Sequence, residues 1–381
     1  MDSKLNILFL SSWFPTKDKT THGNFVKWHA QTISLHSNIS LIYVSKTSGL
    51  ASQFIIEQEQ SKNLVISIMY YNQANLRISF LNKLANSYFH FKSYYLLFKQ
   101  LQHKPDLVHA NIVWPIGLFA IWLKLRYKLK FIITEHWSAL SKKDNFSFLK
   151  QKLISIIFKK ASLIIPVSEG FKEDIKKWNS NLEFKVIPNV VNTKYFNFKE
   201  KQKFTVFKWA HISTLDPIKN VEGIIKAFSK LIAFDTKHHL SIISDGDYSN
   251  IQILISKLQI PKENINLIGI SSNHKVANLI KQSDACIQFS HSETFGIVAA
   301  ESLCTGTPVI STKVGFLKEF YEEEIGLFVK NNNEDDLLKK MKLMPNIAFN
   351  NKKCSLYFSS LFNAEKISQT YYNVYKELLK Q

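Results

Sequence analysis

A chain of 381 residues exceeds one ordinary core and suits two domains of roughly 150–200 residues each. With 45% hydrophobic and 21% charged residues, and only 11 Gly and 9 Pro, it reads as a soluble globular protein, which excludes disorder, collagen-like repeats and coiled coil. The net charge of +19 is concentrated in residues 1–199, where 27 Lys and Arg face 11 Asp and Glu.

A basic first half suits a polyanionic partner, either nucleic acid or an anionic membrane surface. No nucleic-acid-binding motif supports the first of these. Since 47 of the 49 basic residues are Lys, an A/T-rich coding sequence accounts for the excess equally well. Cys286, Cys304 and Cys354 have no metal-ligand spacing and read as buried reduced thiols. The short apolar run within Met1–Leu10 lacks the cationic region of a signal peptide. The longer apolar stretch Leu107–Leu123 is interrupted by His109, Asn111 and Pro115 and falls short of the ~20 residues of a membrane span. The expected location is cytoplasmic, at most peripheral on the inner face of the plasma membrane.

In chain order, strands are expected at Leu5–Leu10, Ile39–Val44, Leu64–Ile68, Leu107–His109, Phe131–Thr134, Leu163–Val167 and Lys185–Ile187, with helices over 76–103, 147–160 and 169–178. The polar stretch Asn189–Gln202 reads as a linker. Strands then recur at Phe204–His211, Leu240–Ser244, Asn266–Ile268, Ala285–Phe289, Pro308–Ser311 and Leu327–Val329, with helices over 220–233, 250–258, 274–282, 296–304 and 334–343. A last helix-like stretch runs from Glu365 to Leu379. This alternation predicts two doubly wound α/β domains, 1–190 and 203–362, with ligands beyond the carboxyl ends of their strands.

The segment from Ser290 to Ser311 carries the most chemistry. Gly306 suits the left-handed position that ends a helix, and Ser292 or Thr294 is expected to cap its start. The N–H groups of Phe295, Gly296, Ile297 and Val298 would then be free for hydroxyl or phosphate oxygens. Glu293 and Glu301, eight residues apart, can accept hydrogen bonds from the vicinal hydroxyls of a sugar or ribose. Lys219 sits at a helix start, where a cation is mildly unfavourable unless it has an anion to meet.

This segment, Glu293-Thr-Phe-Gly-Ile-Val-Ala-Ala-Glu301 followed by Gly306-Thr-Pro-Val309, resembles the E-x7-E signature of the group 1 glycosyltransferases (glycosyltransferase family 4), retaining enzymes of the GT-B fold. Ala161-Ser-Leu-Ile-Ile-Pro-Val-Ser-Glu169, Val186-Ile-Pro-Asn-Val-Val-Asn192, Lys219-Asn-Val-Glu-Gly-Ile-Ile-Lys-Ala-Phe228, Asp106-Leu-Val-His-Ala110 and Val314-Gly-Phe-Leu-Lys-Glu319 are similar to further motifs of that family. The resemblance implies two Rossmann-like domains facing across a cleft, the first on the acceptor side and the second binding the donor. A C-terminal helix, 365–381, would pack back on the first.

By the resemblance, Glu301 holds the nucleotide ribose, Glu293 the donor sugar and Lys219 the diphosphate. Gly23 marks the loop that lets backbone approach the donor phosphate. His136, within Thr134-Glu-His-Trp137 at a strand end, is the active-site His; His109 reads as a satisfied strand residue. Asp245-Gly-Asp247 resembles the turn near the nucleotide, or is simply a surface turn. The sequence departs from the pattern at Thr214, where the family usually has Arg, at Phe316, where a second Gly would leave more room for the sugar, and at Asn192, usually Asp. The implied partners are a nucleotide-sugar donor and a glycan or lipid-linked acceptor, with neither cofactor nor metal. The basic, aromatic stretches 86–103 and 122–130 form either a surface for anionic lipid headgroups or a solvated face over aromatic packing.

Overall fold

The computed structural model describes residues 4–20, 22–179, 181–201 and 205–380. Among the expected features, Met1 at the chain start, Thr21 in the Gly23 loop, Gln202 at the linker's end, Phe204 of a strand and Gln381 of the last helix lie outside the described residues.

In chain order the elements are β1 (Asn6–Ser11), α1 (Asn24–Ile33), β2 (Asn38–Thr47), β3 (Phe54–Ser61), β4 (Leu64–Asn72), α2 (Ser79–Lys99), β5 (Leu107–Asn111), α3 (Gly117–Tyr127), β6 (Phe131–Glu135), α4 (Phe148–Lys160), β7 (Leu163–Pro166) and α5 (Glu169–Lys176). They continue with β8 (Phe207–Ile212), α6 (Val221–Phe234), β9 (His238–Ile243), α7 (Ser249–Lys257), β10 (Ile265–Ile268), α8 (Asn273–Gln282), β11 (Ala285–Gln288), α9 (Ile297–Cys304), β12 (Val309–Thr312), α10 (Glu322–Ile325), β13 (Gly326–Val329), α11 (Glu334–Leu343), α12 (Asn351–Phe362) and α13 (Ala364–Lys380). The chain divides into two compact units: Met1–Val167 with Lys172–Val190 and Ala364–Gln381, and Ser168–Phe171 with Val191–Asn363.

The first unit holds a seven-stranded sheet in the order β3-β4-β2-β1-β5-β6-β7. Ile7 pairs with Ile39 on one side of β1 and Phe9 with His109 on the other, all in parallel register. Only β3 runs antiparallel, with Phe54 opposite Tyr71. Its Glu57-Gln-Glu-Gln60 run has none of the apolar alternation that marks a strand; hairpin pairing with β4 makes it one all the same. The expected strand Lys185–Ile187 does not form. Lys185 and Ile187 donate N–H bonds to Ile164 and Pro166, and Phe184 makes only an isolated bridge to Ile164.

Helix α13 belongs to this unit. It buries Ile367, Tyr371, Val374, Tyr375 and Leu378 among Phe9, Leu41, Ile132 and Ile165. Its two tyrosines also carry hydrogen bonds into the sheet. The Tyr375 hydroxyl bonds His109 Nδ1 at 2.7 Å, His109 Nε2 bonds Thr134 Oγ1 at 2.7 Å, and Thr134 Oγ1 bonds the Tyr371 hydroxyl at 3.1 Å. Burial holds His109 well below the usual histidine range, so the chain of bonds is neutral. His109 is thus the satisfied strand residue its sequence position suggested.

The second unit is a six-stranded parallel sheet in the order β10-β9-β8-β11-β12-β13. Helices α6, α8, α11 and α12 start where side chains satisfy free N–H groups: Asn220, Ser272, Asn333 and Asn350 each accept from the third residue on. Glu334, Asp335 and Asp336 fill the first turn of α11, where carboxylates favour the helix dipole. Trp209, Phe228, Leu240, Ile287 and Met341 centre its core. Cys286 and Cys304 are buried free thiols, whereas Cys354 is only half-buried. No helix of the described residues is long and apolar enough to cross a membrane.

Replacing Tyr375 with Phe leaves buried His109 Nδ1 without its partner. We expect a stability loss of about 1–3 kcal/mol in chemical denaturation of the first unit. An unchanged midpoint would mean that the bond contributes nothing.

Candidate functional site

In the second sheet the strand order reverses direction between β8 and β11, and ligands of doubly wound sheets sit at that switch point beyond the strand ends. The loops leaving these two strands are fastened together. His291 donates its N–H to the Ile218 carbonyl at 2.8 Å, and Thr312 Oγ1, at the end of β12, steadies the β11 loop by donating to the Ser290 carbonyl at 2.6 Å. Ahead of Ile218, Asp216 caps the turn Pro217–Lys219 by accepting from the Ile218 N–H. Asn220 then adopts a left-handed conformation (φ 50°) to open α6, with its side chain so close to Gly223 that a Cβ there would lie 2.7 Å from Asn220 Oδ1.

This stitching brings Lys219 Nζ to 2.7 Å from Glu293 Oε1, which also accepts from Ser290 Oγ at 2.8 Å. Sequence reasoning assigned these two residues to different parts of the ligand; in the free protein they form a mostly buried ion pair. Ser290 was missed, because a lone Ser three residues ahead of a Glu carries no pattern. Below them, burial holds His211 neutral, at a pKa of about 4, with its ring bonded to the Ile287 carbonyl and to Ser213 Oγ.

Helix α9 begins at Gly296, in a left-handed conformation (φ 94°) and without a side-chain cap. The expected caps, Ser292 and Thr294, therefore do not act. The chain enters through the glycine, whose Cβ position lies 3.0 Å from the Gln288 amide nitrogen, leaving the first turn uncapped. Among the described residues no group accepts from the N–H of Ile297 or Val298, which as first-turn amides have no intrahelical partner. Gly306 ends the helix at φ 78°, as expected.

Glu301 lies in the middle of α9, partly exposed, and has no hydrogen-bond or ion-pair partner among the described residues. Burial pushes its carboxyl up to about 8. The Phe295 and Phe316 side chains are buried, their rings 4.9 Å apart within an aromatic cluster that includes Phe362. Gly315 makes this packing possible: a Cβ there would lie 2.1 Å from the Phe295 carbonyl oxygen. Thr214 is exposed in the loop after β8, and Asn192 forms a turn through its side-chain bond to the Lys194 N–H. In Asp245-Gly-Asp247, Asp247 accepts from Ser249 at the start of α7, and Gly246 packs against Leu215 of the β8 loop.

The first unit gathers its own candidates beyond β1, β5 and β6. Gly23 opens α1 at φ 76°, and a Cβ there would lie 2.6 Å from the Trp13 carbonyl carbon, so only glycine lets these two loops touch. The Phe25 ring lies 4.5 Å from that of His136. His136 follows β6 and is held by Glu135, whose carboxylate accepts from the N–H groups of Val113, His136 and Trp137 at 2.7–2.8 Å. Burial raises Glu135 to about 7 against these three bonds. The His136 ring is buried and neutral, and its Nε2 has no partner among the described residues. His29, which sequence reasoning missed, stands 5.3 Å from His136 with both ring nitrogens unpartnered. Between the strands, Ile112 holds φ 68°, a strained conformation for a β-branched residue.

Two family models match the chain: Glycosyltransferase Family 4 over residues 54–195 and Glycosyl transferases group 1 over residues 193–353. The chain belongs to the group 1 glycosyltransferases, and it has the GT-B fold. An uncharacterised glycosyltransferase of Methanocaldococcus jannaschii is 29% identical over 286 residues, spanning 72% of this chain and 76% of that protein. Sucrose-phosphate synthase from Thermosynechococcus elongatus superposes at a TM-score of 0.78 and 17% identity over 99% of this chain and 100% of that one. The Anabaena protein HepE, solved with UDP and glucose, gives 0.72 and 16% over 98% and 100%.

The raised carboxyl of Glu301 sets a pH dependence. With a folded-state value of about 8 against an ordinary 4.5, ionisation disfavours the folded state increasingly as pH rises from about 4.5 to 8. Glu301→Gln removes that penalty. We expect the variant to melt with wild type at pH 5 and above it, on the order of a few degrees, at pH 8. A constant difference across this range would show that Glu301 is not the titrating group.

Proposed function

We propose that this chain is a retaining glycosyltransferase that moves a sugar from a nucleotide-diphosphate sugar to a glycan or lipid-linked acceptor. Its setting would be bacterial cell-surface polysaccharide or lipopolysaccharide synthesis on the cytoplasmic face of the membrane. The observation that carries this reading is the convergence, at one switch point, of Lys219, Glu293, the open N–H groups of α9 and the unpartnered Glu301 carboxylate. A ribose diol donates two hydrogen bonds, which Glu301 lacks. A diphosphate needs a cation and N–H donors, which Lys219, Ile297 and Val298 supply.

On this reading Lys219 leaves Glu293 when the donor arrives and stabilises the charge developing on the departing diphosphate. Glu293 then receives the hydroxyls of the donor sugar. The acceptor hydroxyl attacks from the face the diphosphate leaves, and its proton passes to the leaving phosphate oxygen. Neither glutamate is a nucleophile, and the step needs no metal. His136, kept neutral by burial, is assigned a hydrogen bond to the donor sugar and its phosphate. The exposed Thr214, in place of the family's Arg, favours one other reading, a member that binds nucleotide sugar without turning it over.

Transfer from labelled UDP-, GDP- and ADP-sugars to extracted lipid and glycan acceptors distinguishes the two. We expect one nucleotide class to support transfer with the anomeric configuration retained, and Lys219→Ala to lower kcat about 100-fold or more. Saturable nucleotide binding with no product from any acceptor would favour the binding-only reading, and an inverted product would overturn the mechanism.

A further inference from the structure

Helix α2 is 21 residues long, yet only Ser93, Tyr94 and Leu97, all in its second half, are buried. Its start and the residue before it expose large apolar side chains: Ile78 is 60% exposed, Phe80 67%, Leu81 46%, Leu84 52% and Tyr88 59%. Phe80, Leu84 and Tyr88 recur every four residues and so line one face. Isolated exposed apolar residues are ordinary, but a row of five on one helix end marks a surface that something covers.

The topology places more of the same chemistry along this rim. Parallel connections are right-handed, so the helices of β4-α2-β5, β5-α3-β6 and β6-α4-β7, all stepping the same way across the sheet, lie on one face of it. Contacts agree: Phe91 of α2 meets Phe119 and Trp122 of α3, and Gly117 of α3 lies against Ile157 of α4. Each helix begins at the carboxyl edge of the sheet, the edge that carries Gly23 and His136. There α3 exposes Leu118 at 38%, and α4 exposes Phe148 at 71% and Leu149 at 67%.

The charge of this region selects the occupant. From residue 60 to residue 134 the chain carries ten Lys and Arg and one carboxylate, Asp106, which is spent on the Asn6 N–H. Among the described residues none of those ten cations has a carboxylate partner. Lys92 instead lies over the rings of Phe54 and Tyr88, each 5.7 Å away, with its ammonium beside the apolar row. A second copy of this chain would bring the same unbalanced cations against themselves. An anionic bilayer offers what both features need: headgroup charge for the lysines and acyl chains for the apolar row.

We propose that the carboxyl-edge rim of the first unit, centred on Ile78, Phe80, Leu81 and Leu84 of the α2 start, inserts into an anionic lipid bilayer. The stretches 86–103 and 122–130 then supply mainly the flanking charge, and the insertion itself comes from residues before them. The rim rests on the proposed function only in what it delivers, a lipid-linked acceptor brought to the His136 edge. The binding itself is read without turnover.

Flotation of the full chain with phosphatidylglycerol–phosphatidylcholine vesicles, and with phosphatidylcholine alone, tests it. Wild type is expected to float with the anionic vesicles and to keep part of that binding at 0.5 M salt, where purely electrostatic contacts are screened. Phe80→Ser/Leu81→Ser/Leu84→Ser is expected to lose at least tenfold in partition and all of the salt-resistant part. Its circular dichroism spectrum and cooperative melting should match those of wild type, which shows that it is folded. Equal flotation of wild type and variant would overturn the proposal, as would a wild-type dimer in light scattering that the variant abolishes, since a second copy would then cover the face. Vesicle binding with no sugar transfer would leave the rim standing and count against the transferase reading alone.

Discussion

A carboxyl group partly withdrawn from water and without a partner is held towards its neutral form, and Glu301 is such a group. Much of the second unit can be understood from what surrounds it. A parallel sheet with its order reversing between β8 and β11 sends two loops to one place, and α9 starts beside them with its first amides open. The β8 loop, the β11 loop and α9 together carry a cation, two carboxyl groups and free N–H groups. Burial leaves Glu301 waiting for donors, whereas Glu293 already has Lys219 and Ser290. The two members of the E-x7-E pair are therefore electrostatically unlike before any ligand arrives. One has no partner among the described residues, and the other is already paired with a cation and a hydroxyl.

The first unit shows the complementary arrangement, a set of neutral histidines. His29, His109, His136 and the tyrosines of α13 share one buried polar layer, in which His109 is fully bonded and His29 and His136 are not. Helix α13 is therefore more than a cover for apolar residues: Tyr371 bonds Thr134 of the strand that leads into Glu135 and His136, and Tyr375 reaches the same threonine through His109 of β5. Glu135 fixes the backbone beyond that strand by three N–H bonds, so the position of His136 follows from main-chain geometry and not from its own side chain.

Much of this was legible in the sequence, because period, punctuation and motif agreed. The second sheet and its helices fell where apolar runs alternate with capped amphipathic stretches, and the Gly306 stop was readable from residue type. What escaped has physical reasons. β3 is polar over Glu57–Gln60, where no apolar alternation marks a strand, and hairpin pairing with β4 carries the strand through that run. α3 is apolar from Gly117 to Leu123, so periodicity could not show that it is a helix. The Ser292 or Thr294 cap failed because a left-handed glycine, not a hydroxyl, admits the chain to α9. Phe316, where the family pattern has Gly, packs with Phe295 and Phe362, a long-range aromatic contact that no local pattern encodes. The Lys219–Glu293 pair spans 74 residues and depends on one backbone bond between loops, which no local pattern encodes.

Under the proposed function, Glu301 receives the hydroxyls of a nucleotide ribose as an ionised carboxylate. Its most direct test is calorimetric titration with whichever of UDP, GDP and ADP binds, at pH 7, in two buffers of different ionisation enthalpy. Because the free carboxyl sits at about 8 and hydroxyl donors favour its charged form, binding should release nearly a full proton. Affinity should rise as pH approaches 8, and Glu301→Gln should abolish the proton release. Nucleotide binding with the same heat in both buffers, or with the same proton release in the variant, would contradict it.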